Sequence, residues 1–280
     1  MSEGKQPSHV EDKVFLVTGG AAGVGAGIVR TLLLENARYV AFLDIAVREG
    51  SVLEAELLEK FGALRAKFIK CDISDEEQLG AAFRQVFDKY RRLDVVINNA
   101  AMLSADDRAY KKIVDVNFSA TINSTLNALD IMGADKGGKG GTIVNLSSLL
   151  ALRPKARLPV YAATKIAVLQ FSNSIGAESY YSQSQVRVLT VCLGPTDTAI
   201  LQKPNISNFD KDYTKDLTAR APIRQRVESA ANGIIEVINR GTSSSTWMIA
   251  DDKPPVDITK NILNGFEAMS ASLDINSLGF

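Results

Sequence analysis

Histidine, cysteine and tryptophan are almost missing from this chain of 280 residues, which holds one, two and one of them. The lone histidine, His9, stands in a polar N-terminal stretch, which rules out a Ser-His-Asp triad and argues against a histidine-bearing zinc site; no metal is expected. Cys71 and Cys192 each sit in an apolar, strand-like run. That predicts two buried, reduced thiols rather than a disulfide, and a cytoplasmic location. Neither charge sign is in excess, with 32 Lys and Arg against 32 Asp and Glu, so no footprint for nucleic acid or an anionic membrane is visible. Long apolar runs are lacking too. None approaches a membrane span, and MSEGKQPSHV has no signal-peptide h-region.

What is present is alternation. Val14–Val17, Tyr39–Leu43, Lys67–Ile69, Val95–Ile97, Thr142–Asn145 and Val186–Val191 read as strands. Helical patterns fall between them at Val24–Glu35 and at about 47–61, 75–89, 106–132 and 159–180, with Ser74 read as a helix cap before Asp75-Glu-Glu. Such alternation predicts an α/β fold: a doubly wound parallel sheet of about seven strands, with helices on both faces, in one domain. Residues 10–252 are expected to form that domain, after a flexible 1–9 and before a tail at 253–280. The irregular stretch 197–223 is positioned as a substrate loop.

Gly19, Gly23 and Gly25 follow the first strand and open a helix. In that context, bare backbone amides can approach a pyrophosphate. Ala22 and Val24 belong to the same turn. Asp44 ends the second strand, where a carboxylate accepts both hydroxyls of an adenine ribose and repels a 2′-phosphate. With no Arg or Lys in the turn, NAD is expected over NADP. Asp72 and Ile73 close the third strand near the expected adenine edge, and Asn99 and Ala100 close the fourth.

Tyr161 and Lys165 are four residues apart and so share one face of a helix; Ser148 precedes Tyr161 by thirteen. A phenol beside an ammonium can lose and regain a proton next to a bound dinucleotide, while a hydroxyl such as Ser148 holds the substrate oxygen. Each piece alone is commonplace. Their order is not.

In that order the residues resemble the short-chain dehydrogenase/reductase superfamily, over roughly 10–250. The resemblance rests on Thr18-Gly-x-x-x-Gly-x-Gly25, Asp72, Asn98-Asn-Ala100, Asn117, Ser148 and Tyr161-x-x-x-Lys165. Phe68–Asp72, Gly137–Ser148 and Pro159–Tyr161 are most similar to its 15-hydroxyprostaglandin dehydrogenase branch and the insect relatives of that branch. The resemblance implies that Asn117 keeps a water in a proton relay, and that Gly194, Thr196 and Thr198 meet the nicotinamide end. It also implies a homodimer or homotetramer paired through the fourth and fifth helices. The chain departs from the family at Ala101, where Gly is usual, and at Leu193-Gly194-Pro195, where Pro-Gly is usual. It departs again at Leu158, where prostaglandin dehydrogenases carry a substrate-binding Gln.

Met102, Leu103, Leu149, Leu150, Leu152, Leu158, Ile200, Leu201 and Phe209 are expected to face the substrate. Such a lining suits a lipid-like, terpenoid or steroid alcohol or carbonyl compound. Arg153, Lys155 and Arg157 read as a solvated basic loop that could also draw a carboxylate tail. Leu158 and Leu193-Gly194-Pro195 leave a second reading open, an NAD-holding binding protein with little turnover.

Overall fold

Side chains alternate faces along the central strands, and that alternation builds two cores. In β1 (Val14–Thr18), Phe15 and Val17 point to one side of the sheet and Val14 and Leu16 to the other. Strand β2 (Tyr39–Asp44) repeats the division, with Val40 and Phe42 against Tyr39, Ala41 and Leu43. These strands are apolar on both faces because both faces are covered. The computed structural model describes residues 9–104, 107–153, 158–201 and 224–271.

Within those residues β3 (Ala66–Lys70), β4 (Val95–Asn98), β5 (Gly141–Ser148), β6 (Val186–Leu193), β7 (Thr246–Ile249) and β8 (Val256–Asp257) complete one sheet, ordered β3-β2-β1-β4-β5-β6-β7-β8. All pairs are parallel except β7 with β8. The expectation of about seven strands falls one short. The eighth is a two-residue antiparallel edge, too short to leave a pattern in sequence. Helices α1 (Gly23–Leu34) and α8 (Val227–Arg240) cover the first face; α3 (Glu76–Tyr90) and α5 (Ala120–Met132) cover the second. Helix α2 (Val47–Phe61) joins β2 to β3, and α9 (Thr259–Ser270) follows β8.

Several expectations need correction. Asp75, not Ser74, caps α3: its carboxylate accepts from the amides of Glu77 and Gln78 at 3.0 and 3.1 Å. The expected helix at 106–132 is broken into α4 (Tyr110–Val114), a π-helical turn (Asp115–Ser119) and α5. The one at 159–180 is α6 (Pro159–Ile175) followed by α7 (Glu178–Ser184).

Chain order reverses between β1 and β4, whose outward connections leave toward opposite ends of the sheet. A crevice therefore opens beyond the carboxyl ends of β1 and β4, the place where such sheets bind ligands.

Candidate active site

The crevice floor is a knot of hydrogen bonds around Thr18. Its hydroxyl accepts from the amides of Asn99 and Ala100, both at 3.1 Å, tying the ends of β1 and β4 together. Asn99 answers by donating from Nδ2 to the carbonyls of Thr18 and Gly19 at 3.0 and 2.9 Å. Gly19 has φ +64°, and a Cβ there would lie 2.7 Å from the Cα of Ala100. At Gly25 a Cβ would come within 2.0 Å of the Gly19 carbonyl oxygen. The turn and the start of α1 are thus in backbone contact, which only glycine permits.

Helix α1 begins without a side-chain cap and has no acidic residue in its first turn. Its first amides and the positive end of its dipole therefore suit a phosphate. Thr198 stands across from this turn: a Cβ at Gly23 would sit 3.1 Å from its methyl group. Asp44 braces the other side, accepting from the amides of Ala21 and Ala46 at 3.1 and 3.0 Å. The Asp72 carboxylate accepts from Ser74 Oγ (2.6 Å) and Lys112 Nζ (3.0 Å), which hold it below the usual carboxylate range. Val24 and Ile73 are buried in the two cores, so their side chains turn away from the crevice. Thr196 is buried as well, its hydroxyl donating to the Gly194 carbonyl and accepting from Gln225 Nε2. These three can offer a cofactor their backbone only.

The donor set fits a dinucleotide: an uncapped helix start for the phosphates, a carboxylate at the end of β2 for ribose hydroxyls, and no base near it in the turn.

Ser148 ends β5 and Tyr161 stands in the first turn of α6, with Pro159 starting the helix. The Ser148 hydroxyl accepts from the Leu150 amide at 3.1 Å and lies close enough to the Tyr161 phenol to favour its ionised form. Lys165 is buried, with Nζ 5.7 Å from the centre of the Tyr161 ring, and it donates to the Leu146 carbonyl at 2.9 Å. Among the described residues no other partner takes its two remaining N–H bonds. Burial pushes the phenol up to about 12, against the pull of Ser148. Burial also brings the ammonium down to about 8. Asn117 lies on the π-helical turn with no exposed surface. Its Oδ1 accepts from the Met102 amide (2.7 Å), and its Nδ2 donates to the Met102 carbonyl (3.0 Å) and to Thr164 Oγ1 (3.3 Å). Both Nδ2 donors and one of the two Oδ1 acceptor sites are thus used within the protein.

Leu158 is buried and packs with Leu103, Leu150 and Tyr161, which puts an apolar wall against the phenol. Leu149 and Met102 are half-buried, while Leu152 is exposed. Arg153 is exposed; Lys155, Arg157 and Phe209 lie outside the described residues, as does most of the expected substrate loop. Sequence reasoning named Thr18 only as the start of the glycine motif and passed over Ser147, Thr164 and Gln225. Ser147 donates to the Lys165 carbonyl at 2.7 Å, and Gln225 Nε2 to the carbonyls of Gly194 and Ile249. Adjacency was the available signal, since Ser147 and Thr164 each immediately neighbour a motif residue.

A Rossmann-type sheet with this Ser, Tyr and Lys beside its crevice defines a short-chain dehydrogenase, and the chain belongs to that family: the short chain dehydrogenase model matches residues 13–208. Among curated proteins the chain is similar to the 15-hydroxyprostaglandin dehydrogenase [NAD(+)] of Macaca fascicularis, 37% identical over 236 residues, covering 82% of this chain and 87% of the relative. It is also similar to alcohol dehydrogenase 1 of Ceratitis cosyra, 29% identical over 247 residues, covering 83% and 94%. Levodione reductase shares the fold, with a TM-score of 0.76 at 19% identity, over 86% of this chain and 97% of that one.

Proposed function

We propose that this protein is an NAD-dependent alcohol dehydrogenase that oxidises an apolar secondary or primary alcohol, with Tyr161 as the general base. The observation that carries this reading is the convergence of Ser148, Tyr161 and Lys165 beside a phosphate-ready helix start. Bound NAD would supply the hydride acceptor and a cationic ring. Ser148 holds the substrate oxygen and steadies charge on it, and Tyr161 takes the hydroxyl proton. Lys165 favours the phenolate by its charge and directs its free N–H bonds at the nicotinamide ribose. Burial holds the phenol at about 12 even against the pull of Ser148, so the enzyme becomes competent when a bound cationic cofactor adds positive charge beside it. Gly19, Ala22, Gly23, Val24, Gly25, Asp72, Ile73, Asn99, Ala100, Gly194, Thr196 and Thr198 form the rest of the cofactor bed, three of them through backbone alone. Asp44 makes it selective for NAD.

Leu158, Leu150 and Leu103 support an apolar substrate, because a sugar or small hydroxy acid would leave its polar groups unpaired against them. Leu126 and Ile166, exposed on α5 and α6, support a homodimer or homotetramer joined through those helices. The buried free thiols of Cys71 and Cys192 suit a cytoplasmic location. We take residues 10–252 as the catalytic domain, 197–223 as its substrate loop, and 1–9 and 253–280 as its flanks.

The test is NADH formation, followed by absorbance at about 340 nm, with NAD and a panel of long-chain, terpenoid and steroid alcohols. Turnover that Tyr161→Phe abolishes while NAD still binds is the expected result. Activity kept within about tenfold in that variant removes Tyr161 from the role of base.

A further inference from the structure

The first turn of α6 carries the proton-transfer residue, yet it begins without a side-chain cap, since Leu158 at its start offers no hydrogen-bonding atom. Thr164 secures that turn in another way. Its hydroxyl donates to the Tyr161 carbonyl at 2.8 Å and accepts from Asn117 Nδ2 at 3.3 Å. The one donor and one of the two acceptor sites of a threonine hydroxyl are thus both used, at a buried site. A back-bond from threonine to its own helix contributes little by itself and often bends the helix. The second partner gives it meaning here. Asn117 holds both backbone atoms of Met102, in the loop after β4 that borders the crevice. A continuous path therefore runs from the Met102 backbone through Asn117 and Thr164 to the backbone of Tyr161.

We propose that Thr164 is a positioning residue, coupling the crevice wall at Met102 to the placement of the Tyr161 phenol. The inference rests on Tyr161 being the general base. The π-helical turn at Asp115–Ser119 fits this role: the bulge turns Asn117 inward, buried between the Met102 loop and α6, and such bulges recur at functional sites. Valine has nearly the shape of threonine without the hydroxyl, and serine keeps the hydroxyl without the methyl group, so the two substitutions separate hydrogen bonding from packing.

Thr164→Val should lower kcat for alcohol oxidation about tenfold while the KM for NAD stays within about twofold, because the phenol is displaced and the cofactor bed is not. Exchange of the Met102 amide hydrogen, read by mass spectrometry without cofactor, should quicken about tenfold as the path loosens. Thr164→Ser should keep kcat within about threefold of the unmodified protein. If Thr164→Val does not fold, Thr164→Ala is read in its place. The inference is overturned if kcat is unchanged, if Met102 exchange is unchanged, if serine does not rescue, or if kcat, NAD affinity and melting temperature fall together. Should the unmodified protein oxidise none of the alcohols, the dehydrogenase reading fails, and this inference with it. Activity in the unmodified protein with no effect of Thr164→Val sinks this inference alone.

Discussion

Lys165 is a cation held in the protein interior, and its ammonium falls from 10.5 to about 8 because burial disfavours the charged form. Below pH 8 the residue is charged both folded and unfolded, and folding bears the desolvation. Between pH 8 and 10.5 the unfolded chain keeps the proton that the folded one has released, so the contribution of this group to stability rises with pH. The difference in unfolding free energy between Lys165→Met and the unmodified protein should therefore favour the variant most near pH 7 and shrink toward pH 10. Urea melts across that range check it; a difference that does not change with pH contradicts it. Tyr161 runs the other way, its contribution being lost as pH climbs from 10 to about 12, but it is common to both proteins and cancels. Leu158 offers a second residue-scale test. Leu158→Gln puts an amide into the apolar wall, at a cost of about 1–3 kcal/mol unless a substrate oxygen answers it. Efficiency should fall for plain long-chain alcohols and rise for alcohols with a second oxygen nearby; steady-state kinetics with both kinds decides. Tyr161, Lys165, Ser148 and the glycines were readable in sequence because they occur together in one order, although each piece alone is commonplace. Ser147 and Thr164 were not, since a hydroxyl beside a motif looks like any other until its partners are known.

Among the elements, periodicity found α2 and α3 to within a residue, because their buried positions recur on one face. It failed across residues 106–132, where the extra residue of a π-helical turn shifts the repeat without altering its apolar character. It was also silent on α8, β7, β8 and α9, which no chemistry-bearing motif draws attention to. Yet α8 is secured by a distinctive contact. Arg187, on β6, donates from Nη1 to the Gly241 carbonyl at 2.5 Å and from Nη2 to the Ile238 carbonyl at 3.1 Å and to Thr142 Oγ1 at 2.7 Å. Its guanidinium thus sits at the negative end of α8, where a cation is favoured, although burial lowers its affinity for its proton. Arg187→Met should reduce unfolding free energy by about 2–4 kcal/mol, since two helix-end carbonyls lose a partner away from water. Denaturant titration gives that number, and a loss below about 0.5 kcal/mol would mean water replaces the guanidinium.

For the whole molecule, the strand order brings together residues far apart in the chain, as when Thr18 meets Asn99 and Asn117 meets Thr164. The sequence reading reached the sheet and its crevice because strand–helix alternation constrains topology strongly. It did not reach the far edge, where β8 is brief and its direction reversed. NAD should raise the melting temperature in a concentration-dependent way, by about 2.7 kcal/mol of added stability at a hundredfold excess over Kd, and NADP should do far less. Equal protection by the two would remove Asp44 from cofactor choice.

The two residues of β8 also guard the molecule against its own kind. Strand β7 carries Trp247 and Met248, and without β8 its outer rim of amides and carbonyls would be an open template for another chain. Thr259 fastens the cover, its hydroxyl accepting from the Thr246 amide at 2.9 Å, and the Ile258 amide donates to the Thr246 carbonyl at 2.9 Å. A chain ending at Asp252 should keep its crevice, cofactor affinity and chemistry, but scatter light as it warms, well below its unfolding temperature. What reads in sequence as a weakly patterned tail would then be what keeps this sheet edge from pairing with another chain.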